Sequence, residues 1–200
     1  PIFECNDLYG CLDECKNRVV QHGRKYEIDI RKTEKKGWGK LHRQVCIPAG
    51  TFVGIYAGEL ILDEDGDERG RKYNEFGRTY LFTLDFYYLK DTVEDRDEWE
   101  PKYVVDAYHT GNFTRFLNHS CDPNCTINPC YFNEANIDKP LLTIFAYRDI
   151  EASEELCFSY HGPPDEYGHD RNAITSAASN DAIYVKCCCG SWNCVGILFS

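Results

Sequence analysis

Apolar and polar residues alternate in short runs along much of this chain, the period-two pattern of strands with one covered face. The clearest runs are Tyr26-Glu27-Ile28-Asp29-Ile30, Thr51-Phe52-Val53-Gly54-Ile55-Tyr56 and Thr79-Tyr80-Leu81-Phe82-Thr83-Leu84. Tyr103 to Ala107, Leu141 to Ala146 and Leu156 to Tyr160 follow in the second half. Pro48-Ala49-Gly50 and Asp65-Gly66-Asp67 carry turn chemistry between the runs. Helical periodicity is scarce: the best segment, around Asn112 to Leu117, is too short to stand alone. Two acidic runs, Asp63 to Glu68 and Asp91 to Glu100, read as solvated loops. From His161 to about Ala182, Pro163-Pro164-Asp165 and Thr175 to Asn180 give a small-residue, turn-rich stretch that reads as a linker. No internal repeat is found, and the expectation is a mainly β domain.

Composition narrows the class. Two hundred residues suit one domain with appendages, able to bury roughly 70% of its unfolded surface. A hydrophobic content of 42%, with 14% aromatic, excludes wholesale disorder. Lys plus Arg number 22 against 33 Asp plus Glu, a net charge of −11, so the chain repels a phosphate backbone and suits a basic partner. A cationic peptide is expected, with no direct sequence-specific nucleic acid contact. No apolar run is long enough to span a membrane, and Pro1-Ile2-Phe3-Glu4-Cys5 lacks the regions of a secretory signal. The expectation is a soluble intracellular protein, unless a leader has been removed.

In a reducing compartment, 12 cysteines call for metal rather than disulfides. They cluster at both ends, whereas a secreted, disulfide-rich chain, the rival reading, would spread them as a framework. Cys187, Cys189 and Cys194 form C-x-C-x4-C. A structural zinc takes four tetrahedral ligands, so a fourth must come from elsewhere. Cys188 either stands between ligands, shares in the site, or belongs to a tail that pairs oxidatively. Cys5, Cys11 and Cys15 sit in a polar segment, residues 1–24, with no core pattern of its own.

Three ordered motifs carry a resemblance. Arg115-Phe116-Leu117-Asn118-His119-Ser120-Cys121-Asp122-Pro123-Asn124, with Gly54-Ile55-Tyr56-Ala57-Gly58-Glu59 before it and Glu154-Glu155-Leu156-Cys157-Phe158-Ser159-Tyr160 after it, resembles the SET-domain protein lysine methyltransferases. Cys15-Lys16-Asn17-Arg18-Val19-Val20-Gln21 and Gly37-Trp38-Gly39 point to the heterochromatin, suppressor-of-variegation branch, whose members methylate lysine 9 of histone H3. The resemblance implies a SET-domain fold of small β-sheets around a pseudoknot. It divides the chain into the end of a pre-SET segment (1–24), the SET domain (25–162), a linker (163–186) and a zinc-binding post-SET tail (187–200). It makes Cys121 the fourth zinc ligand. In the family's pre-SET cluster nine cysteines hold three zincs, and here Tyr9 stands where the pattern has a cysteine. Cys5, Cys11 and Cys15 therefore either bind one zinc with a borrowed ligand or stay free or oxidised.

The implied reaction is methyl transfer from S-adenosyl-L-methionine, leaving S-adenosyl-L-homocysteine, to a lysine of the histone H3 N-terminal tail. By resemblance Tyr160 is the active-site tyrosine, Tyr80 lines the lysine channel, and Phe158 sets how many methyls are added, favouring di- or trimethylation. Lys36, Gly37 and Trp38, within Lys35-Lys36-Gly37-Trp38-Gly39, and Arg115, Phe116, Asn118, His119 and Tyr160 are the implied cofactor-binding residues. Asn118 and His119 are placed to hydrogen-bond the adenine and amino-acid ends. Trp192 on the tail is a further candidate to close over the cofactor. The peptide is expected to add an extended strand between sheet edges. A nuclear, chromatin-bound monomer within a heterochromatin complex is the implied setting. Ser159 departs from the acidic residue usual before the active-site tyrosine, and it is the argument for the alternative, a catalytically impaired SET-like histone-binding module. A zinc-stapled scaffold without cofactor is the plainer rival.

Overall fold

The structure, a computed structural model, describes residues 1–12, 14–33, 36–42, 45–75, 80–86, 100–162 and 184–199. Short strands dominate, as the alternation predicts: β1 (Ile2–Phe3), β2 (Asp29–Thr33), β3 (Gly37–His42), β4 (Phe52–Ile55), β5 (Glu59–Leu62), β6 (Leu81–Thr83), β7 (Tyr103–Asp106), β8 (Asn118–His119), β9 (Cys125–Tyr131), β10 (Leu141–Ala146), β11 (Cys157–Phe158), β12 (Tyr184–Lys186) and β13 (Ile197–Phe199). One α-helix, α1 (Asp63–Asn74), and a 3-10 turn, Phe113–Phe116, complete the described residues. The strands form small sheets ordered β1-β9-β10-β4 and β5-β7-β6, with the pairs β2-β3, β8-β11 and β12-β13. The mainly β expectation holds.

The chain divides into two compact units. The first comprises Pro1–Arg24, Gly54–Arg115 and Asn128–Thr143. Its central strand β7 is flanked antiparallel by β5 and β6, with Leu60 opposite Val105 and Phe82 opposite the same Val105. Helix α1 corrects the expectation of a solvated acidic loop. Its apolar face is almost absent, since only Gly66 and Tyr73 are buried, so no periodic signal marks it. Charge marks it instead: Asp63, Glu64 and Asp65 occupy the first turn and Arg71 and Lys72 the last, both favourable to the helix macrodipole. Gly66, expected in a turn, is helical. A Cβ there would come 2.9 Å from Val104 Cγ2, so glycine lets the helix lie against β7.

The second unit comprises Lys25–Val53, Phe116–Ile127 and Ile144–Ser200. Its β2-β3 hairpin pairs Thr33 with Gly37 and Lys32 with Trp38, and a register shift separates Ile30 from Lys32. The first predicted strand, Tyr26 to Ile30, is thus displaced toward Thr33, where the hairpin supplies a partner. Gly37 closes the turn at φ 73°, a left-handed conformation that favours glycine. Strands β8 and β11 run parallel, with Asn118 opposite Cys157 and His119 opposite Phe158. Strands β12 and β13 pair antiparallel from Tyr184↔Phe199 to Lys186↔Ile197 and frame the cysteine-rich tail. The core here includes Ile47, Phe52, Leu117, Ile144, Ile150, Leu156 and Phe158, all buried.

Candidate functional site

Within the second unit, the parallel β8-β11 pair brings the Asn118-His119 motif beside the Phe158-Ser159-Tyr160 motif. Asn124, wholly buried, holds the approach to β11. Its Nδ2 donates to Glu154 Oε1 at 2.9 Å and to the Glu155 carbonyl at 2.8 Å, and its Oδ1 accepts from the Cys157 N–H at 2.9 Å. A buried amide with every such bond made fixes a segment that is too short to order itself.

Glu155 bridges two of the sequence-expected cofactor residues. Lys36 Nζ donates to its Oε2 at 2.9 Å and Asn118 Nδ2 donates to its Oε1 at 2.8 Å. The ion pair is largely shielded, with the two side chains 19% and 20% exposed. Burial works against the Lys36 ammonium, but the Glu155 carboxylate outweighs it and keeps the pKa above the ordinary lysine value. Gly39, also buried, lies against this network. A Cβ there would collide with Asn118 Nδ2 and come 2.8 Å from Asn118 Cγ. Gly37 shapes the turn before it, Trp38 is exposed, and Lys35 lies outside the described residues.

His119 is buried between polar neighbours. Its Nδ1 accepts the Tyr160 N–H at 3.1 Å, and its Nε2 lies 3.3 Å from Cys121 Sγ. Burial, then the positive charge of His161 and Lys36, push its pKa down to about 3, so the ring is neutral at physiological pH. Both ring nitrogens are engaged within the protein, so a side-chain bond to a ligand must displace one of them. Tyr160 is partly exposed, its Oη donates to the Leu117 carbonyl at 2.7 Å, and its ring lies 4.9 Å from that of Phe158. With the phenolic hydrogen directed to that carbonyl, the oxygen presents lone pairs as an acceptor. Ser159 caps the following turn, its Oγ accepting from the His161 N–H at 3.3 Å.

The ligand atoms of Cys121, Cys187, Cys189 and Cys194 all lie within 4.8 Å of one another. Four thiols converging in this way match the donor set of a structural zinc. Burial pushes Cys121 up to about 12 and raises Cys187 as well. At Cys189 burial acts the same way, yet the Ser191 hydroxyl and backbone N–H groups outweigh it and bring the thiol down to about 6. Gly190 and Gly196, at φ 79° and 84°, supply the tight turns, and Asn193 Nδ2 reaches the Cys121 carbonyl at 3.2 Å. Ser120 Oγ and Ser191 Oγ, 2.9 Å apart, add a second tie between motif and tail. Cys188 stands apart: it is exposed and its Sγ points to the Lys186 carbonyl at 3.7 Å. Trp192 is 87% exposed.

The first unit holds Tyr80, Arg115, Cys5, Cys11 and Cys15, while Phe116, at the end of the 3-10 turn, falls in the second. The Arg115 guanidinium lies over the Tyr80 ring at 4.3 Å, and Tyr108 meets Tyr80 at 5.9 Å while stacking on Tyr73 at 4.3 Å. Tyr73 Oη donates to Asp106 Oδ2 at 2.8 Å, where Arg69 Nη1 also donates at 2.7 Å, and the Tyr108 N–H reaches Asp106 Oδ1 at 2.8 Å. Sulfur atoms of Cys5, Cys11 and Cys15 lie mutually within 4.8 Å, with Arg18 Nε donating to Cys11 Sγ at 3.3 Å. That bond is the largest cause of a lowered Cys11 pKa. Sequence reasoning gave no role to Glu155, Asn124, Asp106 or Tyr108. Glu155 and Asn124 stood inside quoted motifs, and two carboxylates next to an apolar run were the available signal.

Comparison with known proteins gives one family match, the SET domain, over residues 43–161. A histone-lysine N-methyltransferase Su(var)3-9 of Drosophila pseudoobscura pseudoobscura is 41% identical over 99% of this chain, which spans 29% of that protein. A histone-lysine N-methyltransferase, H3 lysine-9 specific, of Schizosaccharomyces pombe is 39% identical over 99% of the chain and 38% of its own length. The chain thus spans about a third of these relatives. Among solved structures, KRYPTONITE in complex with mCHH DNA, H3(1-15) peptide and SAH is similar over 98% of the chain and 34% of its own, at 27% identity and a TM-score of 0.72.

Proposed function

The chain belongs to the SET-domain family, and from that premise we propose that it is a protein-lysine N-methyltransferase acting on the histone H3 tail at lysine 9. Support comes from the relatives named for that reaction and from the solved neighbour that carries an H3 peptide and SAH. S-adenosyl-L-methionine, when bound, supplies an activated methyl on a cationic sulfonium. Residues 1–24 end a pre-SET segment, 25–162 form the SET domain, 163–186 link it, and 187–200 form the post-SET tail. Residues 163–183 of that linker lie outside the described residues.

The chain's own residues have two tasks. The first concerns the proton. A lysine with a pKa of about 10.4 is neutral roughly one part in a thousand at pH 7.4, equivalent to about 4 kcal/mol. The family resemblance assigns Tyr160 and Tyr80 to an apolar lysine channel, and flat apolar phenol rings around the amine would disfavour its ammonium form. The Tyr160 oxygen, its hydrogen committed to the Leu117 carbonyl, accepts a hydrogen bond from the lysine nitrogen and aims that nitrogen's lone pair. The second task is alignment of nitrogen, methyl and sulfur, where positioning is the main source of rate. Lys36, Gly37, Trp38, Arg115, Phe116, Asn118 and His119 contribute to the cofactor pocket, His119 through its backbone. Phe158 leaves room for a methylated amine, which favours di- and trimethyl products. The net charge of −11 suits a basic tail, and the setting is nuclear chromatin.

The observation that carries this reading is the Tyr160 hydroxyl bonded to the Leu117 carbonyl at the β8-β11 pair. Mass spectrometry of an H3 tail peptide incubated with S-adenosyl-L-methionine reports site and methyl count together. Tyr160→Phe is expected to lose most turnover and keep its fold; a near-normal rate removes Tyr160 from the mechanism.

A further inference from the structure

His119 belongs to a motif expected to touch cofactor, yet its side chain spends both nitrogens elsewhere. One faces the Tyr160 backbone N–H, 3.1 Å from Nδ1, and the other faces Cys121 Sγ, 3.3 Å from Nε2. A backbone N–H can only donate, so Nδ1 must be the unprotonated nitrogen. In a neutral imidazole the hydrogen then sits on Nε2 and points at sulfur. Only one tautomer satisfies both contacts. The ring is 5% exposed, packs edge-on to Tyr160 at 5.4 Å and to His161 at 4.9 Å, and has no room to rotate without losing both bonds.

We propose that His119 is a positioning residue that couples the four-cysteine centre to Tyr160. Its Nε2–H donates to the Cys121 thiolate and its Nδ1 anchors the backbone of the active-site strand. The inference rests on the zinc and methyl-transfer readings above. It gives the metal site a second task besides folding the tail: a ligand sulfur held at the metal fixes the imidazole, and the imidazole fixes where residue 160 leaves β11. Outer-shell hydrogen bonds of this kind orient ligands and tune metal affinity. The Leu117 carbonyl holds the far end of the same tyrosine through Oη at 2.7 Å, so Tyr160 is tied at both ends to the segment that carries Cys121.

Two conservative variants separate the halves of the contact. In His119→Asn the amide oxygen stands near the Nδ1 position and keeps an acceptor for Tyr160, but nothing reaches the sulfur. In His119→Gln the amide nitrogen reaches toward the Nε2 position and keeps a donor for the sulfur, but the acceptor is lost. With cobalt(II) in place of zinc, His119→Asn is expected to move the thiolate-to-metal charge-transfer band to lower energy. It should also weaken zinc retention against a chromogenic chelator by on the order of 10-fold to 100-fold. His119→Gln is expected to leave the band in place, and to lower kcat with KM for the peptide little changed.

A band that His119→Asn does not shift, or a kcat that His119→Asn leaves at the parent value, overturns the coupling. A chain that binds cobalt without any thiolate charge-transfer band overturns the metal reading itself, and the inference with it. Should either variant fail to fold, nitrogen NMR of labelled histidine in the unsubstituted zinc-loaded chain still decides. Hydrogen on Nε2 supports the proposal, and hydrogen on Nδ1 refutes it.

Discussion

Replacing Asp106 by alanine is expected to destabilise the first unit by about 4 kcal/mol. The side chain is 1% exposed and accepts three hydrogen bonds, from Arg69 Nη1 at 2.7 Å, Tyr73 Oη at 2.8 Å and the Tyr108 N–H at 2.8 Å. Arg69 keeps Glu59 at 2.7 Å and is itself 31% exposed, so its loss is small, about 1 kcal/mol. The Tyr73 hydroxyl and Tyr108 N–H each lose a buried acceptor, at about 1–3 kcal/mol apiece. Together these span about 3–7 kcal/mol, and a loss of about 4 kcal/mol, toward the lower end, lowers the melting temperature of a chain of this size by roughly 8–16 °C. Asp106→Asn keeps an acceptor oxygen and should cost about half as much. The pH dependence gives a second reading. Burial opposes the Asp106 carboxylate, but Arg69, the Tyr108 N–H and Tyr73 together outweigh it and hold its pKa below the ordinary aspartate value. Stability from this group is therefore full above about pH 4 and lost as acid protonates it through its lower folded pKa. Asp106→Asn should flatten that part of the profile. Urea unfolding followed by circular dichroism, across pH, measures both. An alanine variant within about 1 kcal/mol of the parent, or an unchanged acid limb in Asp106→Asn, would refute the reasoning.

Gly39→Ala should cut methyl transfer sharply while leaving the fold intact, because the added methyl collides with Asn118 Nδ2 and dislodges the Asn118-Glu155-Lys36 network; an unchanged affinity for S-adenosyl-L-methionine in calorimetry counts against it. Phe158→Tyr is expected to shift products toward monomethyl lysine in peptide mass spectra, since a hydroxyl in the channel can hold water or restrain the amine; an unaltered methyl distribution removes Phe158 from product control. Stripping zinc with a chelator should abolish turnover with the β core still folded by circular dichroism, and undiminished activity in a metal-free chain contradicts the role given to Cys121, Cys187, Cys189 and Cys194.

The sequence shows strands well where both neighbours and one covered face exist. Leu141 to Ala146 matches β10 to the residue, and Tyr103 to Ala107 runs one residue past β7. Strand β9 went unseen because Pro129 interrupts it, and proline inside a run argues against a strand unless context overrides. Helix α1 went unseen for the opposite reason: its evidence lies in the sign of charge at its two ends, not in any apolar period. Of the site, residue types were legible, and partners only where the family resemblance supplied them. The thiols of Cys187, Cys189 and Cys194 announce a metal by spacing, while Cys121, named by the resemblance and not by spacing, joins them in the fold. Asp106 reads as the polar end of a strand, and nothing local tells that Arg69 and Tyr73, from a helix many residues earlier, will meet it. Long-range pairing of buried polar groups is a property of packing, and packing leaves little trace in periodicity.

The departure at Ser159 bears on whether the site is competent. An acidic residue there would carry charge next to the tyrosine, so its loss is the argument for a chain that binds a histone tail without modifying it. The geometry of Tyr160 does not depend on that side chain. Its N–H is held by His119 Nδ1, its Oη by the Leu117 carbonyl, and its ring lies beside Phe158. Ser159 acts on the residue beyond, its hydroxyl accepting the His161 N–H at 3.3 Å and closing the turn that leaves β11. Serine makes such a local bond at small cost, because one rotatable hydroxyl replaces a charge that would need solvent or a cation. The backbone and phenol of Tyr160 are therefore secured by main-chain and imidazole contacts, and Ser159 beside them shapes the exit of the chain rather than the aim of the phenol.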